Sequence, residues 1–117
     1  MSRLVRNFFQ VPSNSSDREW FETLLTGDRV RIERIISTGQ TTPAGEWYDQ
    51  ETDEWVMLVQ GEAELTYADG SVVKLTSGDY IFIPAGDRHR VTYTSSNLPC
   101  LWLAVHGNLT LETFSTS

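Results

Sequence analysis

The chain has one cysteine, two histidines and no long apolar run, and each shortage removes a class of function. Cys100 has no second thiol, so neither an intramolecular disulfide nor a thiolate metal cluster can form. No apolar stretch approaches the roughly 18 residues that a membrane-spanning helix requires. Cationic residues are few: 9 Lys and Arg stand against 16 Asp and Glu, a formal net charge of −7, with an isoelectric point near 4.6. A surface of that sign repels nucleic acid and anionic membranes, so neither is an expected partner. There is no Gly-rich phosphate loop, no serine nucleophile elbow and no zinc-finger spacing. The stretch MSRLVRNFFQVPSN has two arginines but no continuous apolar core before a small-residue cleavage site. No secretory signal is expected there, and the protein is read as cytoplasmic.

What is present describes one domain. At 117 residues, 39% hydrophobic and 21% charged, the chain can bury its own core, and no repeat or low-complexity linker divides it. The segment SSDREWFETLLTGD predicts a short helix over 17–25. Ser16 would cap it, Glu19 would complete a capping box, Trp20, Leu24 and Leu25 would share a face, and Gly27 would stop it. Everything after reads as strand. RVRIERIIS (29–37) alternates Val30 and Ile32 against Arg29, Arg31 and Glu33. EWVMLVQ (54–60) is apolar on both faces. Residues 61–75 alternate Ala63, Leu65 and Tyr67 against Glu62, Glu64 and Thr66, and their Asp69-Gly70 step is a hairpin signal. YIFIPAG, HRVTY and CLWLAVH complete the set. Short strands at close intervals imply an all-β sandwich or barrel. The expected division is an N-terminal segment with the helix packing on the barrel, 1–28, and the barrel itself, 29–117.

One segment, GDYIFIPAGDRHRVTY (78–93), places a histidine just behind an apolar strand and a turn. Pro84 ends the strand and Gly86 permits the reversal. Period two then sets His89, Val91 and Tyr93 on one face and Arg90 and Thr92 on the other. An inward imidazole among apolar neighbours is either a hydrogen-bonded core residue or a ligand to a metal or small molecule. The spacing of Gly78, Pro84, Gly86 and His89 resembles the second motif of the cupin superfamily, with Tyr93 where cupins often carry asparagine. Glu54 and Gly61, in EWVMLVQG, resemble the end of the first motif. WYDQETDEW and WLAVH resemble a group of small bacterial cupins. The resemblance spans roughly residues 29–106 and implies a double-stranded β-helix, a jelly-roll barrel with both motifs at one end.

Cupins usually hold a metal through two histidines and a glutamate of the first motif and one histidine of the second. Both first-motif histidines are missing here. Their places fall on Trp47 and Asp49 in one register and on Tyr48 and Gln50 in the shorter one. The resemblance therefore implies a metal set of Glu54 and His89 completed by Asp49 or Gln50, and a catalytic set of Tyr48, Glu54 and His89. Tyr48 would donate a proton or orient substrate. Carboxylate and imidazole suit a divalent Zn, Mn, Fe or Ni ion. Alternation in CLWLAVH puts His106 on the face of Trp102 and Ala104, either as a further ligand or as an ordinary strand-end residue. The implied function is a metal-dependent reaction on a small organic molecule: oxygenation, isomerisation or decarboxylation. The alternative is a non-catalytic cupin that binds or senses a small ligand without metal. Strands 54–60 and 101–106 are apolar on both faces, and their outer faces need cover. A homodimer is expected, with Trp55 or Trp102 near its interface and the N-terminal segment contributing.

Overall fold

Alternation of side chains from Trp20 onward resolves into eight strands. In the computed structural model, which describes residues 3–13 and 17–112, they are β1 (Trp20–Gly27), β2 (Val30–Ser37), β3 (Asp53–Gln60), β4 (Glu62–Tyr67), β5 (Val72–Thr76), β6 (Tyr80–Ile83), β7 (His89–Thr94) and β8 (Cys100–Gly107). A five-stranded sheet runs β1-β2-β8-β3-β6 and a three-stranded sheet runs β5-β4-β7. Every pairing is antiparallel. Inward residues of both sheets build one core, with Val56 and Leu58 of β3 and Trp102 and Ala104 of β8 packed with Ala63, Leu65 and Leu75 from the opposite sheet. This is the expected jelly roll. The Asp69-Gly70 turn joins β4 to β5: Gly70 takes a positive φ of 90°, and Tyr67 exchanges backbone hydrogen bonds with Gly70 and Ser71.

The helix expected over 17–25 does not form; from Trp20 onward that stretch belongs to β1. A nine-residue helix is marginal on its own, whereas an extended chain here gains a full antiparallel ladder with β2, from Trp20 opposite Ile36 to Gly27 opposite Val30. A bulge between Thr23 and Leu25 brings Leu25 opposite Ile32, on the side where Trp20 faces Ile36. That extra residue produced the 20, 24, 25 spacing that imitates a helical stripe. Glu19 makes no capping box; its carboxylate accepts a hydrogen bond from Ser37 Oγ at 2.5 Å. The proposed cap, Ser16, lies outside the described residues.

The N-terminal segment is fastened to the outer side of the large sheet by one arginine. Arg34 Nη1 donates to the carbonyls of Phe8 (2.9 Å) and Gln10 (2.7 Å), and Nη2 pairs with Glu22 at 2.8 Å. Trp102 is no interface residue: it is buried in the core and its Nε1 donates to Ser37 Oγ at 3.2 Å. Trp55 does face outward, half-buried against Tyr80, with ring centroids 5.4 Å apart.

Gly61, the last residue of the first motif, has a φ of 105°. A Cβ there would lie 2.9 Å from Cys100 Sγ and 3.0 Å from Cys100 Cα. Cys100 is itself fully buried, its thiol turned to the Glu62 carbonyl at 3.1 Å. Gly61→Ala therefore combines backbone strain with overlap, and should lower unfolding free energy by about 2 kcal/mol or more in urea titrations. A loss below about 0.5 kcal/mol would show that the β3–β4 corner is not tight.

Candidate functional site

The site is assembled where residues 40–50 are sewn to the open edge of β7. Thr94 Oγ1 donates to Gln40 O at 2.6 Å, Thr42 N donates to Val91 O at 2.9 Å, and Arg90 Nη2 donates to Thr42 O at 2.9 Å. Tyr48 and His89 exchange both backbone hydrogen bonds, 2.7 and 3.1 Å, as an isolated bridge. Gly86 N then donates to Gln50 O at 2.9 Å. Asp53 holds the turn from the other side, accepting from Ala85 N at 2.8 Å and Leu109 N at 2.9 Å. Those two donors keep its carboxyl below the usual range. The two motifs thus meet through backbone contacts before any side-chain chemistry enters.

Register then decides which side chains share the interior. β8 lies between β2 and β3, with Glu54 opposite His106 on one side and Arg31 opposite His106 on the other. Glu54, His89 and His106 are 7%, 5% and 5% exposed, so three ionisable groups are buried together. Glu54 Oε1 is 3.9 Å from His89 Nε2 and its Oε2 is 3.8 Å from His106 Nε2. Both gaps are too long for hydrogen bonds. His106 Nε2 instead donates to Glu33 Oε1 at 3.3 Å. His89 Nδ1 lies 3.0 Å from the Asp87 carbonyl, which can only accept. The proton is therefore on Nδ1, and Nε2 is turned toward Glu54. The Tyr48 ring stacks on His89 at 5.5 Å.

These groups line a cavity of about 200 Å³ whose apolar wall includes Ile35, Val56, Leu65, Ile83, Val91 and Trp102. Burial pushes the Glu54 carboxyl above its ordinary value; the nearby His106 and His89 charges oppose the shift, Glu33 adds to it and Arg31 opposes it. Burial also raises the Tyr48 phenol, helped by the negative charges of Glu19, Glu54, Glu33 and Glu46, so it stays protonated as a donor. Glu19 is raised by burial, against the hydrogen bond from Ser37.

Of the residues singled out in the sequence, Tyr48, Gln50, Glu54 and His89 line the cavity. Asp49 does not: it is exposed. His106 is inside, as the alternation with Trp102 and Ala104 allowed. Glu33, Arg31 and Glu19 also line the cavity and were missed. β2 presents its charged face inward here and sends Ile32, Arg34 and Ile36 outward. Alternation marked the two faces, but not that the interior at this end of the barrel is polar.

Residues 35–106 match the family described as Cupin domain. The chain belongs to the cupin family. A crystal structure of a candidate mannose-6-phosphate isomerase from Ralstonia eutropha JMP134 superposes with a TM-score of 0.83 at 41% identity, covering 92% of this chain and 100% of that one. A cupin superfamily protein from Desulfitobacterium hafniense DCB-2 shares 18% identity with a TM-score of 0.72, covering 92% of this chain and 93% of that one. A double-stranded β-helix protein from Klebsiella pneumoniae gives 18% and 0.70, covering 91% and 90%; these two comparisons show the fold alone. No curated protein matches the sequence.

Cupins often bind metals, but the donors of this cupin do not fit one as they stand. Tyr48 and Gln50 occupy the cavity positions that the shorter motif register assigns to histidines. His106 is engaged by Glu33. Among the described residues no three His, Cys, Asp or Glu side chains are grouped to hold a metal ion.

The burial of Glu54 has a thermodynamic signature. Its folded pKa lies above its unfolded one, so the native state keeps the proton longer. Stability contributed by this group falls as pH rises from the ordinary 4.5 through the raised value. Glu54→Gln removes that dependence. Urea titrations from pH 4 to pH 8 should show the variant gaining stability relative to the parent as pH rises. A flat or opposite trend would mean that the histidines, not burial, set the Glu54 pKa.

Proposed function

We propose that this cupin binds a small organic molecule in the barrel and moves a proton between two of its carbons, an isomerisation, by acid–base chemistry of Glu54 and Tyr48 with His89 orienting the substrate. The observation that carries the reading is a buried carboxyl lying within 4 Å of two imidazoles yet hydrogen-bonded to neither. A buried carboxylate with a raised pKa is a stronger base than an exposed one. It would take the C–H proton next to a carbonyl and return it to the neighbouring carbon. The Tyr48 phenol would donate to the carbonyl oxygen as the enediol forms, and the phenolate would then accept the proton of the neighbouring hydroxyl as that carbon becomes the new carbonyl. His89, its proton held on Nδ1 by the Asp87 carbonyl, would accept a hydrogen bond at Nε2 and orient the substrate. The name of the 41% identical structure supports isomerisation over the oxygenation and decarboxylation that cupins also perform. A divalent Zn, Mn, Fe or Ni ion, expected from the resemblance, finds too few free donors here, and no step depends on one.

A second reading is a non-catalytic binding or sensing barrel, favoured by Tyr48 and Gln50 standing where metal ligands usually do. Deuterium incorporation separates the two. With mannose or fructose in D₂O containing EDTA, NMR should show label appearing beside the carbonyl, and Glu54→Gln should slow it by about 10²-fold or more. Exchange that persists in the variant would remove Glu54 as the base. Saturable binding without exchange would leave the binding-protein reading.

The proposal extends to assembly. On the outward side of the large sheet Trp55, Leu103 and Val105 are only half-buried, and Tyr80 beside Trp55 is 66% exposed. A second copy covering this face makes a two-fold dimer in which Trp55 is buried. Light scattering should give twice the 13.3 kDa chain mass, and Trp55→Glu should shift it to the monomer. A parent protein that is monomeric at micromolar concentration would reject the dimer.

A further inference from the structure

Resting on the same site reading, the charges around the cavity also discriminate among substrates. We infer that the ligand is a small hydrogen-bond-donating molecule without an anionic group, such as an unphosphorylated sugar or amino sugar, and that the pocket rejects phosphomonoesters.

Three carboxyl groups, Glu19, Glu33 and Glu54, line the cavity. They come from the segment before β1, from β2 and from β3, strands that all belong to the five-stranded sheet, so that wall of the cavity is acidic. The one arginine among the lining residues is Arg31, and it is exposed. Arg88, Arg90 and Arg34 are engaged elsewhere. Arg90 donates to Thr42 O and lies over the Trp47 ring at 5.8 Å, and Arg88 lies over the same ring at 5.4 Å. Arg34 is turned to the opposite face of the sheet, held by Glu22, Phe8 O and Gln10 O. A dianionic phosphate would therefore meet three carboxyl groups against one guanidinium, that of Arg31, and two imidazoles already held by the Asp87 carbonyl and Glu33. Hydroxyl or ammonium groups meet acceptors in the same place, and the Tyr48 and Phe21 rings in the lining suit the faces of a sugar or a small cation. The volume of about 200 Å³ is below the roughly 300–1,000 Å³ of pockets for drug-sized ligands. It suits a molecule of about monosaccharide size.

The test is an NMR titration of the full chain with mannose, mannosamine and mannose 6-phosphate at pH 7 and low salt. A phosphomonoester, with a second pKa of about 6, is mostly dianionic there. Mannose and mannosamine should shift the signals of Glu54, His89 and His106, and mannose 6-phosphate should bind at least about tenfold more weakly. Glu19→Gln keeps the acceptor for Ser37 while removing a charge, and it should narrow that gap; Glu33→Gln should do the same. Mannose 6-phosphate binding as tightly as mannose would overturn the inference, as would a gap unchanged in both variants or no binding of any of the three. The outcome is independent of turnover. The predicted binding order without deuterium exchange would keep the charge selection and discard the isomerase reading, and exchange with mannose 6-phosphate as the preferred ligand would do the reverse.

Discussion

The antiparallel pairing of β8 between β2 and β3 is the constraint on which the rest depends. That register puts Glu54 beside His106 and Arg31 on the other side of it, and it aligns Val56 with Ala104 and Leu58 with Trp102. One ladder therefore sets both the apolar floor and the ionisable groups above it. A slip of one residue would turn Glu54 and His106 outward and bring Trp55 and Val105 in. The core and the site are specified by the same hydrogen bonds, so a change that loosens one disturbs the other.

Burying Glu54, His89 and His106 together costs desolvation, and the protein offsets it only in part. Each imidazole has one fixed partner, the Asp87 carbonyl for His89 and Glu33 for His106. Glu54 has charges near it but no hydrogen bond to either ring. A carboxyl left short of partners in a low-dielectric cavity stores free energy that a bound molecule can recover. That is the physical difference between this cluster and the ion pair at Arg34, where the guanidinium meets Glu22 and two carbonyls and serves to hold the N-terminal segment.

The loop of residues 40–50 shows how a shared scaffold accepts different chemistry. Its backbone hydrogen bonds to β7 and to the Gly86 turn are indifferent to side-chain identity. Tyr48 and Gln50 therefore sit in the cavity in positions where cupins usually place histidines, without disturbing the barrel. The consequence is electrostatic: the interior keeps its carboxylates and loses imidazoles, and its acceptors face whatever enters.

Much of this was legible in the chain itself. Gly78, Pro84, Gly86 and His89, with Glu54 and Gly61, carry the turn and strand-end requirements of the jelly roll, because glycine and proline restrict the backbone wherever they stand. Period two grouped His89 with Val91 and His106 with Trp102, but Tyr93, expected on the His89 face, is carried outward opposite Glu64 by the irregularity between β4 and β7. Other features were decided only by tertiary contacts. WFETLLT has a spacing compatible with a helix or a bulged strand, and β2 offering its edge made it a strand. Asp49 and Gln50 are adjacent in sequence, and the Gly86–Gln50 bond, not their chemistry, selected which one lines the cavity. The inward turn of Glu33 and Arg31 depends on one end of the barrel being polar, a property of facing strands far apart in sequence. A local pattern carries backbone geometry and the two faces of a strand; which face is inside is settled by what the rest of the chain brings to it.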